Sequence, residues 1–145
     1  MSKSKAAFNH QSLTIGFLVN PYAGAGGPAA LKGSDSESTQ SAIANGHIER
    51  RSPERAKQFI KSLRCADRCQ FVTVEGSMGA EYLHACDVDF KLIDYRLGSV
   101  SSAQDTKNIA GILSEDSIDL LVFVGGDGTA RDVCEIVQHR VPVLG

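Results

Sequence analysis

The chain has 145 residues, of which 42% are hydrophobic and 22% are charged, and its formal net charge at pH 7 is −2. This size and composition suit one ordinary domain with a real core. No basic stripe is present to neutralise a nucleic-acid backbone, so the composition argues against nucleic acid as a main partner. The longest uninterrupted apolar run, residues 120–124, is far too short to cross a bilayer, which argues against a membrane partner.

The N-terminal residues 1–12 are polar and lack the apolar segment of a signal peptide, so we expect a flexible tail. The pair Cys65-x-x-x-Cys69 is a possible metal half-site, but no second Cys/His pair with ligand spacing follows it. A reduced, cytoplasmic protein is the simpler interpretation.

The first strand is predicted at Leu13–Val19, and because it is mostly apolar we expect both of its faces to be buried. Asn20 and Pro21 end this strand, and a glycine-rich turn follows. Residues 29–46 show little hydrophobic periodicity, which indicates an exposed excursion. Ser52 then caps a predicted helix whose first helical position is Pro53.

Strand and helix patterns alternate along the rest of the chain. Further strands are predicted at residues 70–74, 90–93, 118–124 and 141–144. Helices are predicted from Ser77, from the capping residue Ser102, and in the segment 129–132, which matches a capping box in outline. We expect Ile109, Ile112 and Leu113 to face the core, as well as Cys134. The alternation predicts an α/β fold with a Rossmann-like parallel sheet flanked by helices.

The first glycine-rich turn, residues 24–29, formally matches the dinucleotide fingerprint G-x-G-x-x-A. That fingerprint requires a helix that opens at once and an acidic residue at the end of a second strand. Residues 28–32 allow barely one helical turn, and Glu49 does not follow a strand-like segment. A dinucleotide site, a tight turn that needs positive φ and a phosphate-facing loop of another family all stay open.

The second glycine-rich turn, residues 125–129, lies between the strongest predicted strand and a helix. Gly125, Gly126 and Gly128 let the backbone approach a phosphate, whose charge the amide groups and the helix dipole favour. A carboxylate in such a place makes sense if Asp127 holds Mg²⁺ or accepts a proton from an attacking hydroxyl. The alternative is that Asp127 only caps the helix.

The second turn resembles the Gly-Gly-Asp-Gly-Thr motif shared by NAD kinases, diacylglycerol kinases, sphingosine kinases and 6-phosphofructokinases. Residues 20–24 resemble the N-P-x-x-G loop of the same superfamily. The finer resemblance is to the ATP-NAD kinase-like branch that includes the AcoX-type proteins. Its motifs are residues 16–27, 31–33, 76–79, 125–132 and 141–145.

This resemblance implies that residues 13–145 are the N-terminal α/β domain of a two-domain kinase, truncated at its C-terminal end and without its β-rich C-terminal domain. It also implies a homo-oligomer, either a dimer or a tetramer. Asp127 would be the catalytic carboxylate and would hold Mg²⁺ directly or indirectly. The implied nucleotide and phosphate contacts are Gly125, Gly126, Gly128, Thr129, Asn20, Pro21 and Gly24.

The implied reaction is Mg²⁺-dependent phosphoryl transfer from ATP to a hydroxyl, such as the ribose 2′-hydroxyl of NAD, which would make NADP. We expect the 145 residues alone to be inactive, because half of a cleft loses the positioning on which this reaction depends. One alternative is a nucleotide-binding regulatory module of the AcoX type without catalysis. Another is an NAD-dependent oxidoreductase that uses the first glycine-rich turn.

Overall fold

The computed structural model of the protein describes residues 12–23 and 51–145. Predictions for the tail up to residue 11, for the first glycine-rich turn with Gly24, for the excursion at 29–46 and for Glu49 lie outside the described residues.

The described residues form five strands and four α-helices that alternate along the chain. The strands are β1 (Leu13–Val19), β2 (Cys69–Thr73), β3 (Phe90–Leu92), β4 (Leu120–Val124) and β5 (Val143–Leu144). The helices are α1 (Ser52–Ser62), α2 (Ala80–Ala85), α3 (Ala103–Glu115) and α4 (Asp127–Val137). Two short 3₁₀ turns, Ala66–Arg68 and Gly76–Met78, precede β2 and α2.

The strands form one sheet in the order β3-β2-β1-β4-β5, and every neighbouring pair is parallel. The predicted α/β fold with a parallel sheet is therefore confirmed. From β1 the chain continues to one side of the sheet as β2 and β3, and it returns to the other side as β4 and β5. The loops after β1 and β4 diverge at this point, which is where open parallel sheets bind ligands.

Helices cover both faces of the sheet, and successive residues of β1 point into opposite layers. Phe17 belongs to the core cluster that contains residues of α1 and α2, and its ring stacks on Phe59 with centroids 6.1 Å apart. Leu18 belongs to the cluster that contains residues of α3 and α4. Both side chains are fully buried, which confirms that β1 is covered on both faces.

Helix starts were predicted with mixed success. Ser102 caps α3 as predicted, and it forms a full capping box with Asp105. The prediction that Ser52 caps α1 is wrong, because Ser52 is the first residue of the helix and its hydroxyl donates to Ala23 O at 3.1 Å. The predicted capping box that begins at Thr129 is also wrong, because α4 already begins at Asp127 with Gly126 as its N-cap.

Two residues predicted in the core are exposed. Ile112 is 36% exposed, because the buried stripe of α3 runs along Thr106, Ala110 and Leu113 and leaves Ile112 at its edge. Cys134 is exposed because it lies about a quarter turn from the buried face of α4.

Candidate functional site

The candidate site lies where the two central strands end. Val19 of β1 pairs with Val124 of β4, so Asn20 and Gly125 leave the sheet at the same level. The N–H of Asn20 donates to Val124 O at 2.9 Å, which extends the pairing by one residue beyond the strand. Parallel strands that end together in this way place their two loops side by side at the carboxyl edge of the sheet.

The turn after β4 leads directly into α4, and the first amide groups of this helix face away from its own carbonyls. The first intrahelical hydrogen bond joins Ala130 N–H to Gly126 O at 2.9 Å. The N–H groups of Asp127, Gly128 and Thr129 precede it and have no partner within the helix. No side chain of the described residues caps this end. The arrangement favours an anion, through the amide hydrogens and the helix dipole together.

The Asp127 carboxylate lies on this helix end and is exposed. Asp127 is the first residue of α4 and makes no capping hydrogen bond, which argues against the alternative that it only caps the helix. Within residues 12–23 and 51–145, no three His, Cys, Asp or Glu residues are grouped so that they could hold a metal ion. Phosphate oxygens and water are the usual further ligands of a Mg²⁺ ion that is held by one or two carboxylates.

The glycines of the turn differ in what requires them. A Cβ at Gly125 would collide with the Thr129 side chain, so internal packing requires glycine there. A Cβ at Gly126 or Gly128 would meet no atom of the described residues within 4 Å. Neither of these two glycines has a positive φ. Packing and backbone conformation in the described part of the chain thus leave both positions open to side chains, and glycine there gives a ligand room to approach the backbone.

A buried hydrogen bond joins the first residue of the loop after β1 to this turn. Asn20 is 5% exposed and Thr129 is 3% exposed, and Asn20 Nδ2 donates to Thr129 Oγ1 at 3.0 Å. Asn20 Oδ1 accepts from the N–H of Tyr22 at 3.1 Å. The sequence motifs that contain Asn20 and Thr129 are therefore brought together, and Pro21 is buried beside them. The structure turns the polar side-chain atoms of Asn20 and Thr129 toward each other.

A third segment at this edge was missed by sequence reasoning. Thr73, the last residue of β2, is fully buried and its hydroxyl donates to Phe17 O at 2.7 Å. A Cβ at Gly79 would overlap Thr73, so the residues after β2 lie close against the end of β1. Residues 76–79 are one of the motifs that carry the family resemblance, but nothing local in the sequence indicates that they lie against the end of β1.

The far side of α4 is held to α3 by charged groups. Lys107 Nζ lies 2.9 Å from Glu135 Oε2 and 3.6 Å from Asp132 Oδ1. The hydrogen bond that Lys107 donates to Glu135 is the main cause that raises the pKa of Lys107. Asp132 belongs to the segment that resembles the kinase motif, but it pairs with α3 and not with the turn. Arg131 is exposed.

An apolar cleft of about 290 Å³ adjoins Gly125 on the α1 side of the sheet. Its lining residues come from α1, β4, the turn after β4 and the end of the chain: Arg55, Phe59, Val122, Phe123, Val124, Gly125, Leu144 and Gly145. The Arg55 side chain is the charged group among them.

No helix in the described ranges is long and apolar enough to cross a membrane.

A parallel α/β sheet with an anion-favouring helix end at its switch point defines a class of domains that commonly bind nucleotides. Residues 15–145 match the family model described as the ATP-NAD kinase N-terminal domain. The chain belongs to this family and is a nucleotide-binding domain of the kinase type. No curated protein and no solved structure matches it.

Proposed function

We propose that this domain is the N-terminal half of a small-molecule kinase that transfers a phosphoryl group from ATP to a hydroxyl, such as the ribose 2′-hydroxyl of NAD. The observation that carries the proposal is the exposed Asp127 carboxylate at the start of α4, between two glycines that have open space around them. Phosphoryl transfer depends mainly on positioning and electrostatic stabilisation, and this turn offers groups for both.

The amide groups of Asp127, Gly128 and Thr129 would bind phosphate oxygens at the helix end. Their N–H groups have no intrahelical partner and are fixed before the ligand arrives, so they stabilise negative charge without rearrangement. Gly126 and Gly128 would let the phosphates come within hydrogen-bonding distance of the backbone. Gly24 would contribute from the neighbouring loop.

Asp127 would then act on the acceptor. Its carboxylate would accept the proton of the attacking hydroxyl, or would hold Mg²⁺ beside the phosphates directly or through water. Mg²⁺ supplies positive charge that offsets the charge on the transferred group. We further propose that a β-rich C-terminal domain closes over this edge and supplies most of the acceptor site. The protein would then be a cytoplasmic dimer or tetramer, and the isolated 145 residues would not catalyse phosphoryl transfer.

The direct test measures NADP formation by the intact protein with ATP, Mg²⁺ and NAD, in the wild type and in Asp127→Asn. We expect the variant to lose activity by a factor of roughly 10² to 10⁴, the usual contribution of a positioned acid–base group. Asp132→Asn is the matched control, since it makes the same chemical change on the same helix at a residue paired with Lys107. Wild-type turnover in Asp127→Asn would remove Asp127 from the mechanism. Tight ATP binding by wild-type protein without any phosphoryl transfer would favour the regulatory module instead.

A further inference from the structure

The contact between Asn20 and Thr129 is a buried interaction at this edge that the proposed chemistry does not use. It joins residues 109 positions apart in the sequence, and its donor and acceptor lie 3.0 Å apart in a buried setting. A buried polar pair of this kind is costly to break, because each group left behind loses its partner away from water.

The surroundings of Asn20 leave little of it for a ligand. Its amide oxygen accepts from Tyr22, its amide nitrogen donates to Thr129, and its backbone carbonyl accepts from Ala23 N–H at 3.2 Å. The whole residue is 5% exposed, so a phosphate could not reach it without moving the loop. Asn20 therefore organises the loop after β1 from inside the protein.

Because Asn20 is fixed, it also fixes Thr129, which lies against the turn. Its side chain fills the space that a Cβ at Gly125 would occupy, so any shift of Thr129 changes the packing beneath the turn. At the same time Thr129 is the third residue of α4, and its own N–H belongs to the anion-favouring end. Displacing the side chain would displace the amide groups of the turn.

We infer that Asn20 is a positioning residue that acts through Thr129: their buried hydrogen bond sets the turn at residues 125–128 against the loop at residues 21–23, and neither side chain contacts the nucleotide. The kinetic part of this inference rests on the proposed kinase function. It replaces the expectation from family resemblance that Asn20 contacts the nucleotide, and it limits the expected contact of Thr129 to its amide group.

The test compares three variants of the intact protein with the wild type: Asn20→Ala, Thr129→Val and the double variant. Valine has the shape of threonine but lacks the hydroxyl, so it removes the acceptor alone. We expect each single variant to lower kcat/KM by roughly 10-fold to 100-fold, the effect of an ångström-scale misplacement. Because the two residues act through one bond, the double variant should lose no more than the more affected single variant. If the losses multiply in the double variant, the residues act independently and the inference is wrong.

Thr129→Ser is the conservative variant, since serine keeps the oxygen that accepts from Asn20, and its loss in kcat/KM should be smaller than that of Thr129→Val. Thermal unfolding of each variant shows how much protein is folded under assay conditions. If the valine variant does not fold, Thr129→Cys takes its place, because sulfur is a weaker acceptor and should give an intermediate loss. Wild-type kinetics in that cysteine variant would overturn the inference.

Amide hydrogen exchange separates this inference from the proposed function, because it needs neither ligand nor turnover. Loss of the hydroxyl in Thr129→Val should speed exchange at Tyr22 and Ala23, which are held through Asn20 across the bond. Unchanged exchange at both amides would overturn the positioning role even in an active enzyme. Faster exchange in a protein that shows no phosphoryl transfer would support the positioning role and count against the kinase proposal alone.

Discussion

Residues 20–23 after β1 and residues 125–128 after β4 leave the sheet at the same level, yet they differ in burial and in how their polar groups are used. After β1, Asn20, Pro21 and Ala23 are buried, and the polar groups of Asn20 are used within the protein. After β4, residues 126–128 are exposed, and the first amide groups of α4 have no partner within the helix. Residues 20–23 are therefore fixed by contacts within the protein, and residues 126–128 present polar groups to the surface.

This difference indicates that the two motifs that resemble the same kinase superfamily act differently: residues 20–23 hold the site in place, and residues 125–129 present it to a ligand. A turn rich in glycine and exposed to water is not rigid by itself, since glycine has the largest backbone freedom of any residue. The loop after β1 restricts this freedom, because Asn20 holds Thr129 beneath the turn and donates its backbone N–H to the carbonyl of Val124, the last residue of β4. Exposed groups of the site can thus keep one geometry without a ligand.

The largest expected effect on stability comes from Gly125→Ala. Its new Cβ would overlap the buried Thr129 side chain, and a buried β-branched side chain has few alternative rotamers. We expect the free energy of unfolding to fall by about 1–3 kcal/mol, as for other overpacked sites. Chemical denaturation measures this change.

Gly126→Ala is the matched control for that experiment. Its backbone has an ordinary φ of −102°, and a Cβ there meets no described atom within 4 Å. The cost at this N-cap position should stay below about 1 kcal/mol. Equal losses in the two variants would show that Thr129 does not lie against the turn as described.

How far the sequence predicts this arrangement depends on the range of the interactions involved. The bounds of β1 and the existence of β4 follow from local apolar runs that end at Asn20 and at Gly125. The hydrogen bond from Asn20 to Thr129 depends on β1 and β4 being neighbours, and that order is a property of the whole sheet. No local pattern in the sequence contains this information.

The start of α4 shows a second kind of limit. The segment that begins at Thr129 has the spacing of a capping box, but the helix already begins at Asp127, because Gly126 can serve as N-cap without a side chain. Thr129 is then free to accept a buried hydrogen bond from Asn20. Two local interpretations were physically acceptable, and a tertiary contact decided between them.

Gly128→Ala should separate stability from ligand binding at the exposed turn. Alanine is the better helix former, so the variant should be as stable as the wild type or more stable by up to about 1 kcal/mol. If phosphates approach this part of the backbone, a methyl group there should lower ATP affinity by on the order of 10-fold. Calorimetric titration with ATP and Mg²⁺ measures the affinity.

Gly111→Ala serves as the control for that comparison. Gly111 lies inside α3, where a Cβ would make only an ordinary contact with Ile136 at 3.5 Å. It should gain similar stability and keep the wild-type affinity for ATP. Undiminished ATP affinity in Gly128→Ala would place the nucleotide somewhere other than this turn.

The smallest expected effect concerns the loop between β3 and α3 at the same edge, which is held by Asp105. Burial opposes its ionisation, but hydrogen bonds from the Tyr95 hydroxyl at 2.6 Å and from Ser102 outweigh burial, so the pKa of Asp105 lies below its ordinary value of 3.8. The unfolded chain then binds the proton more readily, and stability falls as pH drops from that ordinary value through the lower folded pKa. The difference in unfolding free energy between wild type and Asp105→Asn should be constant from pH 7 to about 5 and shrink at lower pH. A difference that stays constant down to about pH 2 would mean that this loop is held by packing, and that charge-assisted hydrogen bonds contribute nothing to holding it.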